Sequence, residues 1–144
     1  MVTPLEQCFP GLIDEAYSIT SDKSGRYNCI AWALGENERW WWPDAVEEYH
    51  WPESVAREES VAAFLQAFAT MGYSPCEDGE LETGVHKIAL YARDGKPTHA
   101  ARQLPDGLWT SKLGSLQDIS HTLNALIGDR YGEVIKFFGR RIAN

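Results

Sequence analysis

The run Cys29-Ile30-Ala31-Trp32-Ala33-Leu34 offers no polar face in any helical register. A helix that lies on a surface needs a polar stripe, so one without it must be covered on more than one side. Asn28, just before the run, can accept a hydrogen bond from an unpaired first-turn amide, and Gly35, just after it, suits the left-handed closing position. The pattern predicts a short buried helix with Cys29 at its N-terminal end. In 144 residues with 44% hydrophobic content there is room for one core around such a helix and not for a second domain of ordinary size. A single domain over residues 1–144 is expected.

The remaining segments supply the cover. Residues 1–26 mix Pro4, Pro10, Gly11 and Gly25 with a polar string and read as an irregular lead-in that wraps the domain. Trp40-Trp41-Trp42-Pro43 and Trp51-Pro52 follow the buried helix with no regular period. Val61, Phe64, Leu65 and Phe68 recur at helical spacing between Glu58 and Met71, and Gly72 ends the pattern. Val85 to Tyr91, Thr98 to Leu104 and Leu108 to Leu113 read as three strands of a meander, turned at Asp94-Gly95 and at Pro105-Asp106-Gly107. Leu116, Ile119, Leu123 and Leu126 predict a late helix closed by Gly128, and Gly132 to Phe138 a last strand. The expected class is α+β, with N-terminal helices packed on an antiparallel sheet.

Charge and composition exclude several functions. Against 21 acidic residues stand 13 basic ones, a formal charge of -8, and no basic run that could follow a phosphate backbone, so nucleic acid is not an expected partner. No apolar stretch approaches the length of a membrane span, and the first residues lack the basic start and apolar centre of a secretory signal; a cytoplasmic protein is expected. Cys8, Cys29 and Cys76 are an odd number with no CxxC pair, which predicts neither a disulfide framework nor a zinc ribbon. His50, His86 and the acidic run Glu77 to Glu82 lack the spacing of a metal site. Neither metal nor cofactor is expected.

A cysteine at a helix start has a reason to react, because unpaired amides and the helix dipole favour the thiolate. Cys29 is therefore the expected nucleophile and the most reactive of the three thiols. His99, early on the second strand of the meander, is the expected base. A three-residue loop at 105–107 places Ala101 opposite Ser111, so that His99 and Ser111 share a face; a two-residue loop brings Lys112 to that face instead. Lysine cannot accept the imidazole proton, so Ser111 is preferred as the group that holds the ring, with Asp118 and His121 as alternatives from the late helix.

These residues, Tyr27-Asn28-Cys29-Ile30-Ala31-Trp32-Ala33-Leu34-Gly35 and Thr98-His99-Ala100-Ala101-Arg102-Gln103, resemble the papain-like cysteine peptidases, and among them the small bacterial NlpC-like amidases. The resemblance spans roughly Tyr27 to Phe138 and implies a papain-like fold with Cys29 as nucleophile and His99 as base. Two positions depart from it: NlpC-like enzymes usually carry an acidic residue before the cysteine, where this chain has Asn28, and often a histidine third, where it has Ser111. The glutamine that papain places several residues before its cysteine has no counterpart in residues 20–26. The backbone amide of Cys29 remains as an oxyanion donor.

The tryptophan segment suits an aromatic wall for a ligand, with Trp41 and Trp42 as substrate-binding candidates, or else a lid packed on the core. Two functions of different classes follow. One is a cysteine hydrolase that cleaves or deamidates a peptide or protein amide through a Cys29 thioester, of which thiol transfer to another acceptor is a variant. The other is a catalytically silent module of the same fold that binds a protein partner through the tryptophans.

Overall fold

The computed structural model describes residues 2–142. The chain opens with α1 (Pro4–Cys8) and a 3-10 turn (Pro10–Ile13), then β1 (Tyr17–Ser21), α2 (Cys29–Ala33), α3 (Val61–Ala69), β2 (Ser74–Cys76), β3 (Val85–Arg93), β4 (Lys96–Gln103), β5 (Trp109–Lys112), β6 (Asp118–His121), a second 3-10 turn (Leu123–Leu126) and β7 (Glu133–Arg141). The seven strands form one sheet in the order β1-β6-β5-β4-β3-β7-β2, with every pairing antiparallel. The protein is of the α+β class, and mostly sheet.

Alternation along the central strands divides the interior in two. Ile88 and Leu90 of β3 and Ala100 of β4 join a cluster with α2, α3, Trp41 and Trp51; Ala89, Tyr91 and Ala101 join a second one with Leu5, Phe9, Leu12, Trp109 and Ile119. The sheet is thus covered on both faces. Its central strands show no polar side, β3 being buried from Lys87 through Ala92.

One expectation is narrowed here and another corrected. The lead-in is irregular only in part: α1 carries a capping box between Thr3 and Glu6, and β1 pairs with β6 as an edge strand, while 22–26 have no regular structure. The docking is close at Gly11, where a Cβ would run into the Ala125 carbonyl. Residues 116–127 are not a helix: Asp118–His121 is a strand between β1 and β5, and only a 3-10 turn follows. The strand is buried on both faces, so its apolar spacing imitated a helix. At the Asp94-Gly95 turn, where Arg93 pairs with Lys96, both residues have positive φ, the geometry that a two-residue hairpin demands.

Candidate active site

Asn28 builds the start of α2. Its Oδ1 accepts from the Ala31 amide (3.3 Å), capping the helix, and from the Trp41 amide (3.0 Å), while its Nδ2 donates to the Trp41 carbonyl (2.7 Å). An aspartate could accept both bonds but could not make the third. The asparagine therefore ties the helix start to the tryptophan segment, a structural reason for the departure noted at this position. Trp41 is the inward ring of the segment, 2% exposed, with its indole N–H on Glu36 (3.0 Å).

Cys29 lies in the wall of a groove of about 330 Å³. Trp40, Trp42 and Tyr49 line it from the tryptophan segment, Thr98 from β4, and Gly114 and Tyr131 from loops. Trp42 thus borders the groove and Trp41 does not; Trp40 and Tyr49, which the sequence did not single out, take part. Trp40 leans on Tyr49 at 5.6 Å between centroids, the side-by-side contact that identifies the wall.

The hairpin register is the one that a three-residue loop requires: Arg102 faces Thr110 and Gln103 faces Trp109, with the Leu104 amide on the Leu108 carbonyl. The β4-β5 ladder has only those two pairs, and beyond them a side-chain bond links the strands. His99 Nε2 lies 2.9 Å from Ser111 Oγ, which lies 2.6 Å from His121 Nε2, and His121 Nδ1 lies 2.7 Å from the Thr122 carbonyl. His99, Ser111 and His121 are each fully buried. Asp118 turns elsewhere and accepts from Thr20 and from Tyr27 (2.7 Å). Of the alternatives for the third position, His121 thus joins the chain of bonds through Ser111 and Asp118 does not.

The protons in this chain follow from its far end. A carbonyl oxygen only accepts, so His121 carries its proton on Nδ1 and offers a lone pair at Nε2. The Ser111 hydroxyl donates to that lone pair, and its oxygen accepts from His99 Nε2–H. His99 Nδ1 is then the lone-pair nitrogen, and it is buried with no hydrogen-bond partner. Burial, reinforced for His99 by the neighbouring His121, pushes both rings down, His121 to about 4 and His99 well below its usual range. Both imidazoles are neutral near pH 7. Tyr131 stacks on the His99 ring at 4.0 Å and 10°, and lines the groove beside Cys29.

No hydrogen bond joins the Cys29 thiol and the His99 imidazole: the thiol packs with Ala100 in the cluster on the α2 face, whereas His99, one residue earlier on β4, turns to the face of Tyr91 and Ala101, and Tyr131, stacked on its ring, is the residue that reaches the groove. The Cys29 sulfur lies against the Ala100 backbone, one residue beyond His99. Burial pushes the thiol up to about 11, outweighing the backbone bonds and the Lys112 charge that act in the other direction. That direction is opposite to the one a helix start favours. With five residues α2 has little dipole to offer, and Cys29 is only 6% exposed. Cys8 and Cys76 are partly exposed, and all three cysteines are free. Among the described residues, no three His, Cys, Asp or Glu side chains converge as metal ligands, and no helix is long and apolar enough to cross a membrane.

The model of a family described as a domain of unknown function (DUF7689) matches residues 18–139, from β1 to β7 and including every residue of this site, so the chain belongs to that family. No curated protein and no solved structure matches it.

Proposed function

We propose that this DUF7689 protein is a small cysteine hydrolase of papain-like arrangement, acting on an amide bond of a peptide or protein through a thioester on Cys29. The observation that carries the reading is the orientation of His99: the bonds through Ser111 and His121 to the Thr122 carbonyl leave Nδ1 as an unshared lone pair. A purely structural histidine in so buried a place satisfies both nitrogens. This one holds a base in reserve behind Tyr131, whose ring lines the groove together with Cys29.

Because thiol and ring are both neutral at rest, general-base catalysis fits better than a preformed ion pair. As the Cys29 sulfur attacks the amide carbon, its proton passes to His99 Nδ1 and the carbonyl oxygen becomes an oxyanion, towards which the Cys29 backbone amide can donate. Collapse breaks the C–N bond, and the departing nitrogen takes the proton from Nδ1. Water, activated by the same nitrogen, then hydrolyses the thioester. The course requires the His99 ring and the stacked Tyr131 to shift so that Nδ1 reaches the thiol when substrate binds, since no bond joins them at rest.

An epoxysuccinyl peptide, which presents an amide-like arm to the groove and captures a base-assisted thiol, tests the reading. The expected result is a single adduct on Cys29, formed at least about a hundredfold more slowly in His99→Asn, in keeping with general-base contributions. Labelling confined to Cys8 or Cys76, or an unchanged rate in His99→Asn, would overturn it. The second reading, a silent partner-binding module, is favoured by one observation, the raised thiol. It would be the reading left if Cys29 stays unmodified while the groove still binds the peptide.

A further inference from the structure

Lys112 is the most unusual charged residue in the molecule. It is fully buried, yet no carboxylate lies within salt-bridge distance of it among the described residues. An ammonium so placed costs several kcal/mol unless its surroundings compensate. The groups it bonds are neutral, while the carboxylate of Asp118, its cross-strand partner on β6, acts on it from beyond salt-bridge distance. The Nζ donates to the Ser24 carbonyl (2.6 Å) and to the Gly114 carbonyl, and lies 4.9 Å from the centre of the Tyr27 ring. Gly114 lines the groove with Cys29, and Ser24 and Tyr27 belong to the segment that leads into it, Tyr27 two residues before the cysteine.

We propose that the buried ammonium of Lys112, tied to the groove through the Gly114 carbonyl, and not the imidazole of His99, is the positive charge that stabilises the Cys29 thiolate. This rests on the hydrolase reading, in which the sulfur must acquire negative character. A neutral His99 cannot provide the charge before it takes the proton, whereas a lysine fixed by two carbonyls provides it from the start. The groups facing the thiol and the ammonium are few. Asp118 bears on Lys112 and is itself held by Tyr27 and Thr20; Tyr131 and the Ala100 amide face Cys29; and the Cys29 and Lys112 charges bear on each other. With a fixed bonding geometry at Ser24 and Gly114, the lysine acts as a positioning residue and needs no contact with substrate.

The test is the rate of iodoacetamide alkylation at Cys29 as a function of pH, read by peptide mass in the intact folded protein. This reagent reports the thiolate population and does not depend on hydrolase activity. Below the midpoint of the profile, the rate at fixed pH falls tenfold for each pH unit by which that midpoint rises. Lys112→Met is expected to lower the Cys29 rate at pH 8.5 at least about fivefold, Lys112→Arg to retain it within about twofold, and His99→Asn to leave the midpoint in place. A profile that stays put in Lys112→Met, or moves instead in His99→Asn, overturns the proposal while leaving the hydrolase reading to its own electrophile test. If Lys112→Met does not fold, the reciprocal measurement replaces it. In wild-type protein labelled with 13C at lysine Cε, the Lys112 signal is expected to shift as Cys29 ionises, and this step is expected to be lost in Cys29→Ser. A Lys112 signal with the same pH course in both proteins overturns the proposal equally.

Discussion

At the scale of single residues, Ser111 shows what a small hydroxyl can decide. It is the one donor and acceptor between two buried imidazoles, and both depend on it for their Nε2 partner. Ser111→Ala strands an N–H and a lone pair in the interior, so a loss of about 2–4 kcal/mol is expected from two unsatisfied groups, measured by urea unfolding. Trp41 and Trp40 are expected to separate burial from ligand contact. Trp41→Ala removes a ring that is 2% exposed and should destabilise by about 3–5 kcal/mol. Trp40→Ala should cost much less stability while weakening capture of the epoxysuccinyl peptide, because its ring is partly exposed on the groove. Equal stability losses in the two variants would place Trp40 in the core and remove it from the groove wall.

At the scale of elements, α2 is short and depends on its cap. Five residues cannot sustain a helix alone in water, so the bonds of Asn28 and the packing of Ile30, Ala31 and Ala33, none of them exposed, stabilise it. Asn28→Asp is the informative change. It keeps the acceptor for Ala31 but faces the Trp41 carbonyl with a second oxygen in place of an N–H. A stability loss of about 1–3 kcal/mol is expected despite the good capping record of aspartate; thermal unfolding checks this, and an unchanged midpoint would mean that the contact with Trp41 carries no energy. Among the strands, β6 repays comparison with its apolar spacing. Ile119 and His121 face the second cluster while Asp118 faces Tyr27, a two-sided burial that no single-face periodicity describes.

For the whole molecule, the buried histidines make stability depend on pH. A ring whose folded pKa lies below its unfolded value of about 6.5 contributes stability in full above that value. As pH falls, the unfolded chain takes up the proton first, and the contribution is lost until the folded ring protonates as well. For His121, with a folded value of about 4, the window runs from about 6.5 down to about 4 and the loss amounts to about 3 kcal/mol. His99 extends it in the same direction at lower pH. Unfolding free energies measured in urea from pH 7.5 to 4 should therefore decline. The decline should be shallower in His121→Gln than in the wild type; parallel curves would show that His121 titrates alike in both states.

The sequence by itself determined what local signals suffice to specify. Asn28 and Gly35 bound α2, Val61 to Ala69 carries a helical stripe with Gly72 beyond it, and Asp94-Gly95 supplies the positive φ of its turn. Each rests on residues close together in the chain. The tertiary structure decided the rest. Tyr17–Ser21 has no pattern of its own, being almost wholly exposed, and is a strand only because β6 offers it an edge. Which indole of three turns inward was settled by the distant amide partners of Asn28, and His121 reached Ser111 because residues 118–121 pair with β5 instead of coiling. Lys112 is buried, because Ser24, 88 residues earlier, brings a carbonyl to its ammonium. Local conformational preferences are written in neighbouring residues, whereas the compensation that lets a charge or an imidazole leave water comes from groups that only folding brings within reach.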